Sequence, residues 1–315
     1  MIKVKDLYKR YGTVEALKKV SFEVNKGEIL GFLGPNGAGK TTTMKILTGF
    51  FPPTDGTVEI AGLSIDKHLI DIKKKIGYLP ENVPLYSDMR VIDFLTFVAT
   101  VKGVNKSLRK SQIQMAIEEC SISTVAHRLI GKLSKGYRQR VGLAQSLIGD
   151  PEILILDEPT IGLDPKQIIE IRMLIKKMAH QKTIIFCTHI LPEVSMIADR
   201  VIIINEGRIV AIDSPQNLHS SLQSSREILM LVDGNEKNVI DIINAVPHVL
   251  SVRVNKRASQ GIEYIITSEK NEDVRGELAS AIAKSDNKCI LRELKSVTMS
   301  LEDIFLKLVT KESDI

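Results

Sequence analysis

The sequence predicts an α/β domain built on a largely parallel core sheet, with an antiparallel sheet beside it and a small α+β unit after it. Short Val/Ile/Leu runs at 28–33, 153–157 and 183–188 alternate with helical stretches, the pattern of strands buried on both faces. The opening third reads as strand at 3–9, 16–24 and 56–60, which supplies the antiparallel sheet. Beyond Ser214-Pro215 and a Ser/Gln-rich stretch at 220–225, read as a linker, apolar periodicity resumes in a different order. The 315 residues thus divide into a large domain, 1–226, and a small one, 227–315.

Within the large domain, residues 82–132 form a helical insert, part of a helical subdomain at about 82–150. Val91, Ile92, Leu95 and Val98 are spaced there for one buried face. The small domain reads as strand 228–232, helix 236–245, strands 249–255 and 263–267, helix 271–284 and strand 288–294. The order βαββαβ suggests a ferredoxin-like unit. A last helix is expected from Ser300, with Asp303 completing a capping box and Leu301, Ile304, Phe305 and Leu308 on one face.

Composition narrows the function. Hydrophobic residues at 43% and charged residues at 26% are ordinary for a globular protein. Cys120, Cys187 and Cys289 stand far apart with no zinc spacing, as expected of reduced thiols in a cytosolic protein. Charges interrupt the first six residues, so no secretory signal is read there. No segment reaches the roughly 18 apolar residues that span a bilayer, so any membrane role is expected to be peripheral. The net charge of +5 is scattered, and the densest basic run, Lys73-Lys74-Lys75, reads as a solvated helix end. Aromatics at 4% and no Trp leave no base-stacking platform, and no nucleic-acid partner is expected.

One segment carries phosphate chemistry. Gly34-Pro35-Asn36-Gly37-Ala38-Gly39-Lys40-Thr41 fits GxxxxGK[ST], after a strand and before a helix that includes Thr42. Backbone N–H groups of such a turn form an anion nest that a Cβ would obstruct, and the following helix aims its positive end at the same anion. In this pattern Lys40 reaches the β- and γ-phosphates, and the Thr41 hydroxyl ligates Mg²⁺.

Four apolar residues, 153–156, run into Asp157-Glu158. Alone, that pattern marks a strand end as readily as a catalytic pair. After a phosphate loop it places Asp157 at the carboxyl edge of the sheet to hold Mg²⁺, with Glu158 next to it to orient and deprotonate a water. His189 ends another apolar run. It reads as a structural residue by itself, and as a neighbour of the γ-phosphate if parallel strands end at one edge.

About twenty residues before Asp157, Leu133-Ser134-Lys135-Gly136-Tyr137-Arg138-Gln139-Arg140-Val141 resembles the signature motif of ABC ATPases. Its helix would begin at Ser134 and offer a second phosphate-binding end. The resemblance implies a head-to-tail dimer in which each ATP lies between one chain's phosphate loop and the other chain's Ser134, Lys135 and Gly136. It extends over residues 2 to about 230 and implies four further roles. Tyr11 stacks on adenine, and the loop at 76–81 links γ-phosphate to a membrane partner. Residues 161–164, ending at Asp164, cross the dimer interface, and His189 meets the γ-phosphate.

Two departures are informative. Glu81 replaces the family's usual Gln with a carboxylate that can ligate the metal, and the signature reads Ser-Lys-Gly-Tyr. Both look like the ATPases of ABC-2 type export permeases, including drug-efflux and gliding-motility systems. The expected protein is therefore a Mg²⁺-dependent ATPase, cytoplasmic and peripheral on the inner face of the membrane. It pairs with itself or a related ATPase and drives a separate transmembrane permease. The alternative is a non-transport ABC ATPase acting on nucleic acid or ribosomes.

Overall fold

The structure is a computed structural model that describes residues 1–221, 225–258, 260–269, 272–285 and 289–297. The described chain forms two compact units, Met1–Pro215 and Gln216–Ile315. In order, the elements of the first are β1 (Ile2–Tyr11), β2 (Val14–Val24), β3 (Ile29–Leu33), α1 (Lys40–Leu47), β4 (Asp55–Ile60), β5 (Leu63–Ser64), α2 (Leu69–Lys75) and β6 (Ile76–Leu79). Then come α3 (Val91–Val101), α4 (Lys106–Glu119), α5 (Lys135–Leu147), β7 (Ile153–Asp157), α6 (Pro165–Ala179), β8 (Thr183–Thr188), α7 (Leu191–Ile197), β9 (Arg200–Asn205) and β10 (Arg208–Asp213).

Two sheets organise this unit. One is antiparallel, in the order β2-β1-β4-β5; the other runs β10-β9-β3-β8-β7-β6. In the second, every pairing from β9 to β6 is parallel, and β10 closes the edge antiparallel. The central strands are the ones whose sequence is apolar without alternation, because both faces are covered, one of them in a core shared with the antiparallel sheet: all residues of β3, β7 and β8 are buried. Register brings the carboxyl ends of three strands level, with Asp157 beside Cys187 and Leu33 beside Thr188. The loops that leave these ends therefore emerge at one edge.

Helix starts follow their capping residues. Ser134 caps α5 and its hydroxyl accepts from Tyr137 N–H at 3.4 Å. Asp164 caps α6 through Gln167 N–H at 2.9 Å, with Pro165 in the first turn where no N–H is needed. Helix α3 buries Val91, Phe94, Leu95 and Ala99. The expected face of Val91, Ile92, Leu95 and Val98 is corrected accordingly. Ile92 and Val98 flank the stripe half-buried, because Phe94 brings the larger area to the core.

The second unit contains α8 (Pro215–Ser221), β11 (Ser225–Asp233), α9 (Glu236–Asn244), β12 (Val249–Ala258), β13 (Gly261–Glu269), α10 (Arg275–Ala283) and β14 (Ile290–Val297). Its sheet runs β12-β13-β11-β14, antiparallel throughout, around a core that includes Met230, Tyr264, Val239 and Leu278. That strand order is the ferredoxin-like one. Part of the stretch read as a linker is helical, since Pro215 supplies a preset φ for the first turn of α8. The expected join at 226/227 falls inside β11, and the division lies after Pro215. Helix α10 starts at Arg275 rather than 271, because Asp273 accepts from the Arg275 N–H and holds its guanidinium, a local turn that competes with helix. The expected helix from Ser300 lies outside the described residues.

Close packing of α5 on β6 is testable. A Cβ at Gly77 would stand 2.2 Å from the Ser146 carbonyl oxygen and 2.7 Å from Leu154 Cδ2. Backbone cannot yield as a side chain does, so Gly77→Ala is expected to cost about 2 kcal/mol or more, read as a lower urea midpoint for the first unit.

Candidate functional site

The loop 34–39 joins the end of β3 to α1 at that common edge. Its shape needs glycine at two kinds of position. Gly37 and Gly39 have φ of +82° and +107°, where a side chain is strained. Gly34 has ordinary φ but no room, since a Cβ would lie 2.3 Å from the Ile204 carbonyl oxygen. Helix α1 begins without a side-chain cap, so its first N–H groups face the loop's concavity.

Lys40 is 6% exposed. Its ammonium donates to the carbonyls of Gly34 at 2.7 Å and Pro35 at 3.1 Å, and lies 3.9 Å from Glu158 Oε1. Asp157, the last residue of β7, is 1% exposed, and the Thr41 hydroxyl donates to its Oδ1 at 3.5 Å. The other oxygen, Oδ2, is buried with no hydrogen-bonding partner. Burial pushes the Asp157 carboxyl up to about 6; the charges of Glu158 and Glu81 push the same way, against the Thr41 hydrogen bond and Lys40.

Glu158 turns out of the strand in the left-handed region, φ +49°, while its N–H still bonds the Cys187 carbonyl at 3.0 Å. Such a conformation costs about 1–3 kcal/mol for a residue with a Cβ, and it is held by its surroundings. The Glu158 carboxylate is 3.0 Å from His189 Nδ1 through either oxygen. An ionised carboxylate only accepts, so this contact selects the tautomer with hydrogen on Nδ1.

These groups border one open pocket of about 330 Å³, lined by Ala16, Asn36, Gly37, Gly39, Lys40, Thr41, Thr42, Glu81, Glu158, Ile161 and His189. Gly34, Pro35 and Ala38 complete the loop behind it, and Asp157 stands behind Thr41. Ala16 on β2 and Ile161 complete the wall; no chemical signal in the sequence marks an Ala and an Ile as lining residues.

Besides Gly34, Pro35, Ala38 and Asp157 behind it, five expected site residues do not line this pocket. Tyr11 lies at the end of β1, 41% exposed, edge-on to Phe51 at 6.2 Å and beneath the Lys9 ammonium. Ser134, Lys135 and Gly136 stand at the start of α5 instead. A Cβ on Gly136 would meet the Gln167 side chain, and the Lys135 ammonium lies where a Cβ on Gly162 would be. Asp164 is in the same neighbourhood, as the cap of α6. The signature helix therefore packs beside the 162–167 turn of its own chain.

The site suits Mg²⁺. Thr41 and Asp157 offer hard oxygen donors, and the unpartnered, buried Asp157 Oδ2 calls for a cation or a donor. Among the described residues no group of three or more His, Cys, Asp and Glu could hold a metal by itself. A cation here would take most of its oxygens from phosphate and water, as Mg²⁺ does.

Comparison with known proteins identifies the family. Residues 17–161 match the family described as ABC transporter. The chain is 34% identical over 310 residues to the uncharacterized ABC transporter ATP-binding protein YxlF of Bacillus subtilis (strain 168), covering 98% of this chain and 99% of that one. It is 31% identical over 310 residues to the linearmycin resistance ATP-binding protein LnrL of the same organism, covering 98% of each. Among solved structures, the dimeric post-hydrolysis state of the ATP-binding cassette MJ0796 bound to ADP and Pi superposes with a TM-score of 0.62. It is 26% identical and covers 68% of this chain and 98% of that one.

Because the folded-state value of Asp157 is raised from 3.8 to about 6, between those pH values the folded protein holds a proton there that the unfolded chain releases. Stability of the metal-free protein should therefore fall as pH rises from about 4 to about 6. Asp157→Asn should remove that fall and stabilise the protein at neutral pH by up to about 3 kcal/mol, measured by denaturant unfolding in chelator.

Proposed function

This chain belongs to the ATP-binding subunits of ABC transporters, and from that premise we propose how its residues divide the work of binding and hydrolysing ATP to drive transport. The observation that carries the proposal is the pocket. It gathers Lys40, Thr41, Glu81, Glu158 and His189 while the serine-headed start of α5 is left outside.

Residues 34–42 take the triphosphate. The loop and α1 supply N–H donors, and Lys40 moves from the Gly34 and Pro35 carbonyls to the β- and γ-phosphates, exchanging weak acceptors for charged ones. Tyr11, on the hairpin whose other strand contributes Ala16, stacks on adenine. Thr41, Asp157 and Glu81 would hold Mg²⁺, which when bound offsets phosphate charge. Glu158 accepts the proton of the attacking water. The Nδ1–H of His189 fixes the Glu158 carboxylate and keeps the ring facing the γ-phosphate position.

A second phosphate-binding helix end outside the pocket is accounted for if two chains pair head to tail. Ser134, Lys135 and Gly136 of one copy, or of a related ATPase, then close over the γ-phosphate held by the other, with Asp164 at the interface. That the MJ0796 cassette is dimeric with ADP and Pi bound supports pairing of two chains. Loss of γ-phosphate removes charge gripped from both sides, so the pair reopens.

The partner that takes up this motion is a transmembrane permease of the ABC-2 type, working in export. The likeness to LnrL, a linearmycin resistance ATP-binding protein, supports efflux. No described helix is long and apolar enough to cross a membrane, in keeping with a subunit held at the inner face of the membrane by its permease. Among its described residues the second unit carries no catalytic constellation, and it serves dimer stability or regulation.

Glu158→Gln should lower turnover by about 10²-fold or more while keeping ATP affinity, and should accumulate dimers in ATP by size-exclusion chromatography. Wild-type turnover in that variant would overturn the assignment. Lys40→Ala should weaken nucleotide binding about tenfold or more in a fluorescent-nucleotide titration. In a pull-down from detergent-solubilised membranes a permease should co-purify; recovery of ribosomes or DNA instead would overturn the transport assignment.

A further inference from the structure

The strand end that carries His189 and the turn that carries Glu158 share one buried tie. Glu193, in the first turn of α7, is 1% exposed. Its Oε2 accepts from the Thr160 hydroxyl at 2.7 Å and from the Thr188 hydroxyl at 3.1 Å. Thr160 lies two residues after Glu158, and Thr188 immediately precedes His189. The other oxygen, Oε1, is 3.5 Å from the Arg172 guanidinium on α6 and has no hydrogen-bonding partner. One carboxylate thus meets three segments: the turn after β7, the end of β8 and the middle of α6.

We propose that Glu193 is a positioning residue for ATP hydrolysis, acting through Thr160 and Thr188 to hold Glu158 and His189 at their mutual distance. The proposal rests on the catalytic reading of Glu158 given above.

The physical case has three parts. Glu158 sits in a left-handed conformation that its own backbone does not favour. Its N–H bond to Cys187 anchors the near side of the turn, and the Thr160 hydroxyl anchors the far side to Glu193. On the other strand, the Thr188 hydroxyl both donates to Glu193 and accepts from Ile190 N–H at 3.0 Å, so the chain on both sides of His189 is held by the same group. Both hydroxyls bond the same oxygen, Oε2. A displacement of either segment is therefore felt by the other, and the 3.0 Å contact between Glu158 and His189 depends on both. A fully buried carboxylate is costly unless paired, and the Arg172 guanidinium 3.5 Å away supplies the opposite charge. Neither Glu193 nor the two threonines borders the pocket, so this is positioning and not contact with nucleotide.

Glu193→Ala would strand the Arg172 charge and could simply unfold the protein. The test therefore removes the hydroxyls and leaves the ion pair. Thr160→Val with Thr188→Val keeps shape and loses both donors; Thr160→Ser with Thr188→Ser loses the methyls and keeps both donors. In the full chain, the Val pair should lower kcat about tenfold or more, with KM for ATP and affinity for a fluorescent ATP analogue within about twofold. The Ser pair should keep kcat within about threefold. Thr188→Val alone gives a milder variant that should move kcat in the same direction. Native kcat in the Val pair, or equal losses in the Val and Ser pairs, would overturn the role of Glu193. Glu158→Gln, measured alongside, separates the two claims. Retained turnover there overturns the catalytic assignment; lost turnover there with native kcat in the Val pair overturns only the positioning role.

Discussion

Three charged side chains meet at one end of β7, each with little exposed surface. The Lys40 ammonium stands 3.9 Å from Glu158, Asp157 is adjacent in the chain, and all three side chains are buried. Charge in such a place must be paired or neutralised. The two solutions visible here differ. Lys40 leans on two loop carbonyls and a carboxylate, whereas Asp157, with one oxygen unpartnered, is pushed toward its protonated form. The proposed ligand, a triphosphate with its metal, would bring both signs of charge to this spot.

The sheet makes the convergence possible. Parallel register sets the ends of β3, β7 and β8 level, so the glycine loop, the Asp157-Glu158 turn and the His189 turn leave from one edge. The Glu158 N–H continues the ladder one step past the strand, then φ turns positive and the side chain swings toward His189. Glycines elsewhere serve close approach: Gly31 admits α7 against β3, and Gly77 admits α5 against β6. Through the first of these contacts Glu193 is set beside the turns that carry Glu158 and His189.

Much of this was legible along the chain because it depends on short spacing. The cradle at 34–41 needs a fixed run of glycines followed by Lys and Thr. The apolar strands that enter the site are uninterrupted because both of their faces are covered. The capping Ser134 announced α5. Other features were hidden by their ambiguity. Glu193 reads in sequence as an acid in the first turn of a helix, which is ordinary on an exposed surface. Only its burial against Thr160, Thr188 and Arg172 distinguishes it. Phe94 was overlooked in α3 because a helical stripe admits several phases. Asp273 drew the start of α10 inward by bonding its neighbour's backbone, a competition that periodicity does not register. Tyr11 matched a motif, yet its ring rests on Phe51 outside the pocket lining.

Spacing within a few residues could specify the chemistry, since a nest of N–H groups, a lysine and a hydroxyl are laid down by one turn and the helix after it. It could not specify which distant groups share a boundary. Glu158 and His189 are 31 positions apart and meet because two strands pair in register. Ser134 is 94 positions beyond Lys40 and is kept off the same pocket because α5 packs beside the turn at 162–167. Contacts of that range are set by packing and register, which a one-dimensional pattern does not encode.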